Sequence, residues 1–247
     1  MKLPFAGRLL AVALFTAASF SLPLAHADAS TPIVGLVMKS LANEFFVTMT
    51  KGAEDYQKQH PADFELISNG IKNETDTQGQ IDIINQMIIA KVDGLVIAPA
   101  DSKALIRAIE KARDAGIVVV NIDNQLDPKV LKKKQLNVPF VGPDNRAGAR
   151  KVGEYLASKL NAGDEVAIIE GVSTTTNAQQ RTAGFKDAMK AAHIKVVSVQ
   201  SGNWEIEGGN KQAAAILSEY PNVKALLAGN DSMAIGAVSA IRAAGKA

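Results

Sequence analysis

The sequence predicts an α/β fold in which parallel strands alternate with helices. Short apolar, β-rich runs recur along the chain, and amphipathic helical patterns lie between most of them. Strands that alternate with helices in this way form βαβ units and a parallel sheet. One stretch, from Ile122 to Phe140, has no clear helix, and we interpret it as a crossing between two lobes. The predicted lobes are residues 28–143, on the N-terminal side, and residues 144–247.

The strands are predicted from short runs of apolar or β-branched residues, most of them bounded by turn residues. In chain order they are Ile33–Val37, Phe64–Ser68, Gly94–Ala98, Val118–Ile122, Phe140–Gly142, Val166–Glu170, Val196–Val199 and Ala225–Ala228.

The helices are predicted from apolar residues spaced three and four apart. Asn43 is a suitable N-cap for the first of them, with Glu44 in its first turn, and Gly116 is a suitable C-cap for the third. The later helical patterns are Asp76–Ala90, Ser102–Ala115, Asn145–Leu160, Asn177–Ala192, Glu207–Glu219 and Ser232–Ala244.

The N-terminus has the pattern of a cleavable export signal over residues 1–27. Lys2 and Arg8 give a positive start, the run Leu9–Phe20 is too short for a good membrane span, and Ala25-His26-Ala27 is a small-residue cleavage site. We therefore expect a mature protein that begins near Asp28 and resides in a periplasm. The other end stops directly after a helical pattern, where a further strand is expected, so we predict a chain truncated at its C-terminus.

Charge and composition exclude several classes of function. Removing Lys2 and Arg8 from 27 basic side chains leaves 25, against 25 acidic ones, and a neutral protein is a poor partner for nucleic acid. The absence of Cys and the wide separation of His60 and His193 argue against a metal site. The G-x-S-x-G, G-x-x-x-x-G-K-[ST] and H-E-x-x-H motifs are missing. We predict no enzyme activity and no cofactor.

The turn after the first strand is the strongest candidate for a ligand site. Ligands of open α/β folds bind at the carboxyl edge of the parallel sheet, where Lys39, Asn43, Phe45 and Phe46 lie. Aromatic rings can cover the apolar faces of a sugar, while an amide and an ammonium bond its oxygens. Core packing is an equally good explanation of Phe46, and Asn43 can cap the helix and still offer its amide.

Later turns bring further polar groups to the same edges of the sheets. A carboxylate and a guanidinium can each bond two neighbouring hydroxyls. The candidates are Asp123, Asn124, Arg181, Trp204 and Asn230. Each has an alternative: Asp123 could cap a turn, Arg181 could pair with Asp187, Trp204 could be half-buried packing, and Asn230 could cap a helix.

These segments together resemble the periplasmic sugar-binding proteins of ABC importers, closest to the ribose-binding type. The resemblance covers residues 31–245. It is carried by Asn43-Glu-Phe-Phe46, Gly94-Leu-Val-Ile-Ala-Pro-Ala-Asp-Ser102, Asn121-Ile-Asp-Asn124, Gly142-Pro-Asp-Asn145, Arg181-Thr-Ala-Gly-Phe185 and Ala228-Gly-Asn-Asp-Ser-Met-Ala-Ile-Gly236.

The resemblance implies two Rossmann-like lobes that close on a monosaccharide, which is delivered to an ABC transporter permease. It implies first-lobe contacts from Asn43, Phe45, Phe46 and Asp123, and a lysine contact at the position of Lys39. Arg181, Trp204 and Asn230 would contact the sugar from the second lobe. Trp204 stands where ribose binders tend to have Phe, Asn124 where they usually have Arg, and Glu44 where they usually have Pro. These departures leave the sugar open between a ribose-like pentose and a hexose.

Other functions share parts of this pattern. The sugar-sensing domain of a LacI-type transcriptional repressor has the same fold, but it needs a helix-turn-helix where this chain has an export signal. An α/β hydrolase or dehydrogenase needs the missing motifs. A chemoreceptor ligand or a signalling-furanose binder stays open within the leading class.

Overall fold

The computed structural model describes residues 31–246. Within this range the strands are β1 Ile33–Ser40, β2 Glu65–Ile71, β3 Gly94–Ile97, β4 Val118–Ile122, β5 Phe140–Val141, β6 Glu165–Glu170, β7 Lys195–Ser201 and β8 Val223–Ala228. The helices are α1 Glu44–Gln59, α2 Thr77–Ile89, α3 Ile106–Asp114, α4 Pro128–Lys133, α5 Asn145–Ala157, α6 Thr176–Ala191, α7 Ile206–Glu219 and α8 Asp231–Ala243. The predicted export signal lies outside the described residues.

The strands form two parallel sheets, which confirms the predicted fold class. The larger sheet has the order β2-β1-β3-β4-β5 and the smaller one β7-β6-β8. All the pairings between neighbouring strands are parallel. Both sheets therefore place the carboxyl ends of their strands at one edge, where the predicted turns lie. The lobe bounds at residues 28, 143 and 247 stay a prediction.

The stretch after β4 differs from the prediction in two ways. It contains the short helix α4, whose N-cap Asp127 accepts hydrogen bonds from Lys129 N and Val130 N at 2.8 and 3.0 Å. It then returns to β5, which pairs with β4 in the same sheet. The interpretation of this stretch as a crossing between lobes was therefore wrong. A six-residue helix with no buried residue has no apolar period by which a sequence could reveal it.

Each sheet is covered by helices on both faces. Ile97 and Val119 of the larger sheet are fully buried in a core that includes Ile84 and Ile109 from α2 and α3. In the smaller sheet the neighbouring residues Ile168 and Ile169 are fully buried in two separate clusters, because successive strand residues point to opposite faces. Burial on both faces explains why these strands read as continuous apolar runs.

A buried glutamine joins the two strand ends nearest to the candidate site. Gln80 on α2 is fully buried and donates through Nε2 to the carbonyls of Met38 and Ala98, at 3.0 and 2.9 Å. Its Oε1 accepts from Ala100 N at 2.8 Å. Because all three groups are backbone groups at the ends of β1 and β3, Gln80 fixes the carboxyl end of β1, which carries Lys39.

No helix in residues 31–246 is both long and apolar enough to cross a membrane. In the same range, no group of three or more His, Cys, Asp or Glu side chains is arranged to hold a metal ion.

Candidate ligand-binding site

A cavity of about 1210 Å³ lies at the carboxyl ends of the strands and is lined from both sheets. Eight of the nine predicted site residues line it. They are Lys39, Asn43, Phe45, Phe46, Asp123, Arg181, Trp204 and Asn230. The structure therefore brings together residues that are up to 191 positions apart in sequence, by the difference between the first and the last.

Two aromatic rings at the start of α1 form one wall of the cavity. Phe46 is only 3% exposed and packs against Leu36, Met38 and Ala98, so it belongs to the core as well as to the cavity wall. Phe45 is 55% exposed, and its ring meets that of Phe46 edge-on at a centroid distance of 5.1 Å. Core packing thus accounts for much of Phe46, whereas Phe45 has an open apolar face that a ligand could cover.

Trp204 forms the opposite wall and is held in a strained backbone conformation. It is 3% exposed and has a φ of +68°, which is unusual for a bulky residue. A Cβ at Gly171 would lie 1.9 Å from Trp204 Cε2, so the indole can occupy this place only beside a glycine. The carbonyl of Trp204 accepts from Asn230 Nδ2 at 3.0 Å.

Asn230 serves mainly to hold this wall. Its Oδ1 accepts from Met233 N at 2.9 Å and caps α8, and its Nδ2 holds the Trp204 carbonyl. The capping alternative for Asn230 is therefore correct. Whether Asn230 also contacts a ligand stays a prediction.

The cationic side chains come from both sheets. Lys39 Nζ lies 5.3 Å from the Phe46 ring centroid and 5.4 Å from that of Trp204. Arg181 Cζ lies 5.4 Å from the Trp204 ring. The cations therefore lie within cation–π distance of the rings that line the cavity.

Arg181 is fixed by two hydrogen bonds. Its Nε donates to Asn145 Oδ1 at 2.7 Å and its Nη1 to the Gly229 carbonyl at 2.8 Å. Burial lowers the pKa of Arg181, against the opposing charges of Asp123 and Asp231. The alternative that Arg181 pairs with Asp187 was wrong, because Asp187 pairs with Arg146 at 2.8 Å. Two of the five guanidinium donors are used, and the others are available to a ligand.

Asp123 supplies a buried acceptor to the cavity. Its Oδ2 is buried and has no hydrogen-bond partner among the described residues. Burial raises the pKa of Asp123, although the positive charges of Lys39 and Arg181 oppose this effect. Its φ of +59° places it in the left-handed region, which Asp and Asn tolerate better than most residues.

The sequence interpretation missed Glu74, which also lines the cavity. Glu74 Oε1 accepts from Asn43 Nδ2 at 2.8 Å, and Glu74 Oε2 lies 3.1 Å from Lys39 Nζ. Burial raises the pKa of Glu74, while Lys39 and Asn43 act in the opposite direction. Glu74 follows the carboxyl end of β2, and this position was the signal that could have found it.

Asn124 is the predicted residue that the structure places elsewhere. It is fully buried, it does not line the cavity, and its Nδ2 donates to the Pro99 carbonyl at 2.9 Å. Its Oδ1 accepts from Asn177 N at 3.2 Å, in the first turn of α6. The expectation that Asn124 contacts a ligand was therefore wrong. Sequence position beside Asp123 suggested it, but neighbouring residues in a turn can point in different directions.

Asn124 and Ser102 cap α6 from the other sheet. The N-cap residue of α6, Thr175, makes no capping bond with its own side chain. Instead Thr176 N donates to Ser102 Oγ at 2.8 Å, and Asn177 N donates to Asn124 Oδ1. The free N–H groups of a helix start must find acceptors, and here they come from a distant part of the chain.

Replacing Asn124 with Ala should lower stability without a direct loss of ligand contact. We expect a decrease of about 1–3 kcal/mol in the free energy of unfolding, since buried backbone donors lose their acceptor. Urea unfolding measures this change, with the exposed Asn161→Ala as the matched control. Unchanged stability together with a large loss of affinity would return Asn124 to the ligand site.

The polar atoms left without partners are concentrated in the cavity. Among the described residues, four buried side-chain atoms have no hydrogen-bond partner: Thr50 Oγ1, Glu74 Oε2, Asp123 Oδ2 and Trp204 Nε1. Three of these four belong to residues that line the cavity. Buried polar groups are normally paired, so their presence together at one cavity indicates a polar ligand.

The chain matches the periplasmic binding protein domain over residues 34–247. It belongs to the periplasmic binding protein family. A relative from Pseudomonas aeruginosa, named D-ribose/D-allose-binding protein, is 68% identical over 250 residues, which cover 100% of this chain and 78% of the relative. The D-allose-binding periplasmic protein of Escherichia coli is 35% identical over 85% of this chain and 68% of its own length.

Solved structures agree with this membership in the periplasmic binding protein family. An ABC transporter solute-binding protein from Burkholderia multivorans has a TM-score of 0.87 and 72% identity, over 88% of this chain and 77% of that one. Its structure contains an unknown ligand interpreted as α-D-erythrofuranose. A periplasmic solute-binding protein from Actinobacillus succinogenes with bound D-allose has a TM-score of 0.79 and 38% identity, over 87% and 74% of the two chains.

Proposed function

We propose that this protein is a periplasmic receptor that binds a neutral monosaccharide and delivers it to the permease of an ABC transporter in the inner membrane. One observation carries the proposal: among the described residues, two buried polar atoms of the cavity have no hydrogen-bond partner, the acceptor Asp123 Oδ2 and the donor Trp204 Nε1. A sugar hydroxyl can both donate and accept, so one ligand can satisfy both groups. The names of the relatives, which bind ribose, allose or both, support this class of ligand.

The charges of the cavity support a neutral ligand. Lys39 and Arg181 bring two positive charges, and Glu74 and Asp123 bring two negative ones. A sugar phosphate would add negative charge beside two buried carboxylates, which is unfavourable at low dielectric. The open ring of Phe45 and the buried indole of Trp204 provide apolar surface for the C–H faces of the sugar.

The identity of the sugar within this class is also part of the proposal. We place it among ribose-like pentoses and hexoses, with D-ribose and D-allose as the first candidates. Export through residues 1–27 would bring the protein to the periplasm. The contacts predicted for Lys39, Asn43 and Asn230 belong to this proposal, and the chemoreceptor role stays an open prediction.

Titration of the purified protein with D-ribose and D-allose tests this proposal. Trp204 is the only tryptophan, so a ligand in the cavity should change the tryptophan emission with saturation, and calorimetry should give the same affinity. D-Ribose 5-phosphate is the control and should bind at least tenfold more weakly than D-ribose, because of its charge. The proposal would be overturned if a panel of pentoses and hexoses changed neither the tryptophan emission nor the calorimetric heat, or if the phosphate bound more tightly than D-ribose.

A further inference from the structure

We propose that Glu74 is a positioning residue that holds Lys39 and Asn43 in their binding orientation and so keeps Asp123 free for the sugar. This inference rests on the proposed function and adds a specificity-determining residue to it. The geometry of three side chains, the position of a second carboxylate and one contact across the cavity support it.

Lys39 and Glu74 form a deeply buried ion pair. Their side chains are 2% and 1% exposed, and Lys39 Nζ lies 3.1 Å from Glu74 Oε2. An ammonium without a partner is costly at such burial, so the carboxylate compensates its charge. Glu74 therefore holds the ammonium in place.

Glu74 also determines the orientation of the Asn43 amide. Asn43 Oδ1 accepts from Phe45 N at 3.2 Å as the N-cap of α1, and Asn43 Nδ2 donates to Glu74 Oε1 at 2.8 Å. With one end committed to the helix and the other to Glu74, the amide cannot rotate. One N–H of Nδ2 remains free for a sugar oxygen.

The position of Asp123 explains why Glu74 matters for binding. Lys39 acts electrostatically on both carboxylates, and Asp123 Oδ2 has no hydrogen-bond partner among the described residues. Without the charge of Glu74, the ammonium would be drawn toward Asp123. Asp123 Oδ2 would then be occupied by a protein donor instead of a sugar hydroxyl. Glu74 thus keeps the Lys39 ammonium to itself and leaves Asp123 Oδ2 to accept from the ligand.

One contact links Glu74 to the opposite side of the cavity. The backbone N–H of Glu74 donates to Glu205 Oε1, the side chain at the N-cap of α7, at 3.4 Å. The charged groups that face the segment of Glu74 are therefore Lys39, Asp123 and Glu205. The segment of Glu74 therefore contacts elements of both sheets at the place where the ligand is expected.

The test is a double-mutant cycle with D-ribose and D-allose as ligands. We expect Glu74→Gln to weaken binding about tenfold to a hundredfold, as for the loss of a charged interaction. If Glu74 acts through Lys39, the same change in a Lys39→Met background should cost less than about threefold. Glu65→Gln, at an exposed position on β2, is the matched control and should bind like the unmodified protein.

The conservative variant provides a second measurement. Glu74→Asp keeps the charge but is one methylene shorter, so its affinity should lie between those of the unmodified protein and Glu74→Gln. If Glu74 had only a structural role, both variants would lower thermal stability. The affinities would then not follow this order, and the effect of Glu74→Gln would not depend on Lys39. If Glu74→Gln fails to fold, Glu74→Asp alone tests the role: weaker binding than that of the unmodified protein is expected, and equal binding would overturn it.

The outcomes separate this inference from the proposed function. Failure of the unmodified protein to bind any sugar overturns the proposed function, and the positioning role with it. The role of Glu74 alone is overturned by either of two outcomes in a protein that binds sugar. In the first, Glu74→Gln binds as tightly as the unmodified protein. In the second, Glu74→Gln lowers the affinity equally with Lys39 present and with Lys39→Met.

Discussion

Replacing Asp123 with Asn should abolish sugar binding and at the same time raise thermal stability at neutral pH. Asp123 Oδ2 is a buried acceptor with no donor among the described residues, and we propose that it accepts from a sugar hydroxyl. The amide replaces an anionic acceptor by a neutral group that is partly a donor, in a desolvated site. A loss of at least about a hundredfold in affinity is expected from the charge-assisted bonds involved. Calorimetry with D-ribose and D-allose measures it.

The gain in stability follows from proton linkage. Burial raises the pKa of Asp123 above its ordinary value of 3.8, so between the two values the folded protein holds a proton that the unfolded chain has released. The free energy of unfolding therefore falls as the pH rises through the pKa of the folded state. The cost of the buried charge is therefore larger at neutral pH than at about pH 4, and Asp123→Asn removes it. The backbone is not a further obstacle, since Asn also tolerates a φ of +59°.

Melting temperatures at two pH values provide the measurement. Asp123→Asn should melt a few degrees above the unmodified protein at neutral pH, and the difference should shrink at about pH 4. The exposed Asp114→Asn on α3 is the control and should change neither property. A variant that binds the sugar normally would show that Asp123 does not contact it. Lower stability at neutral pH would contradict the linkage argument.

Replacing Arg181 with Met should cost both affinity and stability. The variant keeps most of the length of the side chain but removes the donors that we propose for the sugar. It also leaves Asn145 Oδ1 and the Gly229 carbonyl without their bonds of 2.7 and 2.8 Å. We expect affinity to fall about a hundredfold or more, and the free energy of unfolding to fall by about 1–3 kcal/mol. The two variants thus differ in the sign of their effect on stability.

Arg146→Met is the matched control for this prediction. Arg146 carries the same charge, and its ion pair with Asp187 is solvent-exposed, so this change should leave binding unaltered and stability nearly so. Arg181→Lys adds a further comparison, because it restores the charge without the planar fork. Affinity that survives Arg181→Met would place the ligand away from the smaller sheet.

Local patterns in the sequence were sufficient for most of the elements. The cap of α1 was predictable because Asn43 and the N–H that it accepts from are two residues apart. The strands of both sheets were predictable because burial on two faces leaves continuous apolar runs, as in Glu165–Glu170. Helix α4 was not predictable, since a six-residue helix without buried residues leaves no apolar period.

The candidate site was predictable in its location and less so in its connections. The carboxyl ends of parallel strands meet at one edge, so residues such as Phe45, Asp123 and Arg181 could be expected together. Glu74 was missed because its contact with Lys39 joins residues that are distant in the sequence, and no local pattern predicts which lysine a carboxylate will contact. Asn124 was misplaced because the direction of a side chain in a turn depends on backbone angles and on distant partners.

By itself the sequence determined the alternation of strands and helices, the resemblance to periplasmic sugar-binding proteins and the edge at which polar residues collect, since each of these depends on local spacing. The tertiary structure decided which residues meet: Glu74 with Lys39, Asn124 with the first turn of α6, and the indole of Trp204 with Gly171. These contacts join residues that are far apart in the chain, and the free energy of burying a charge or leaving a donor unpaired depends on the partner that folding supplies.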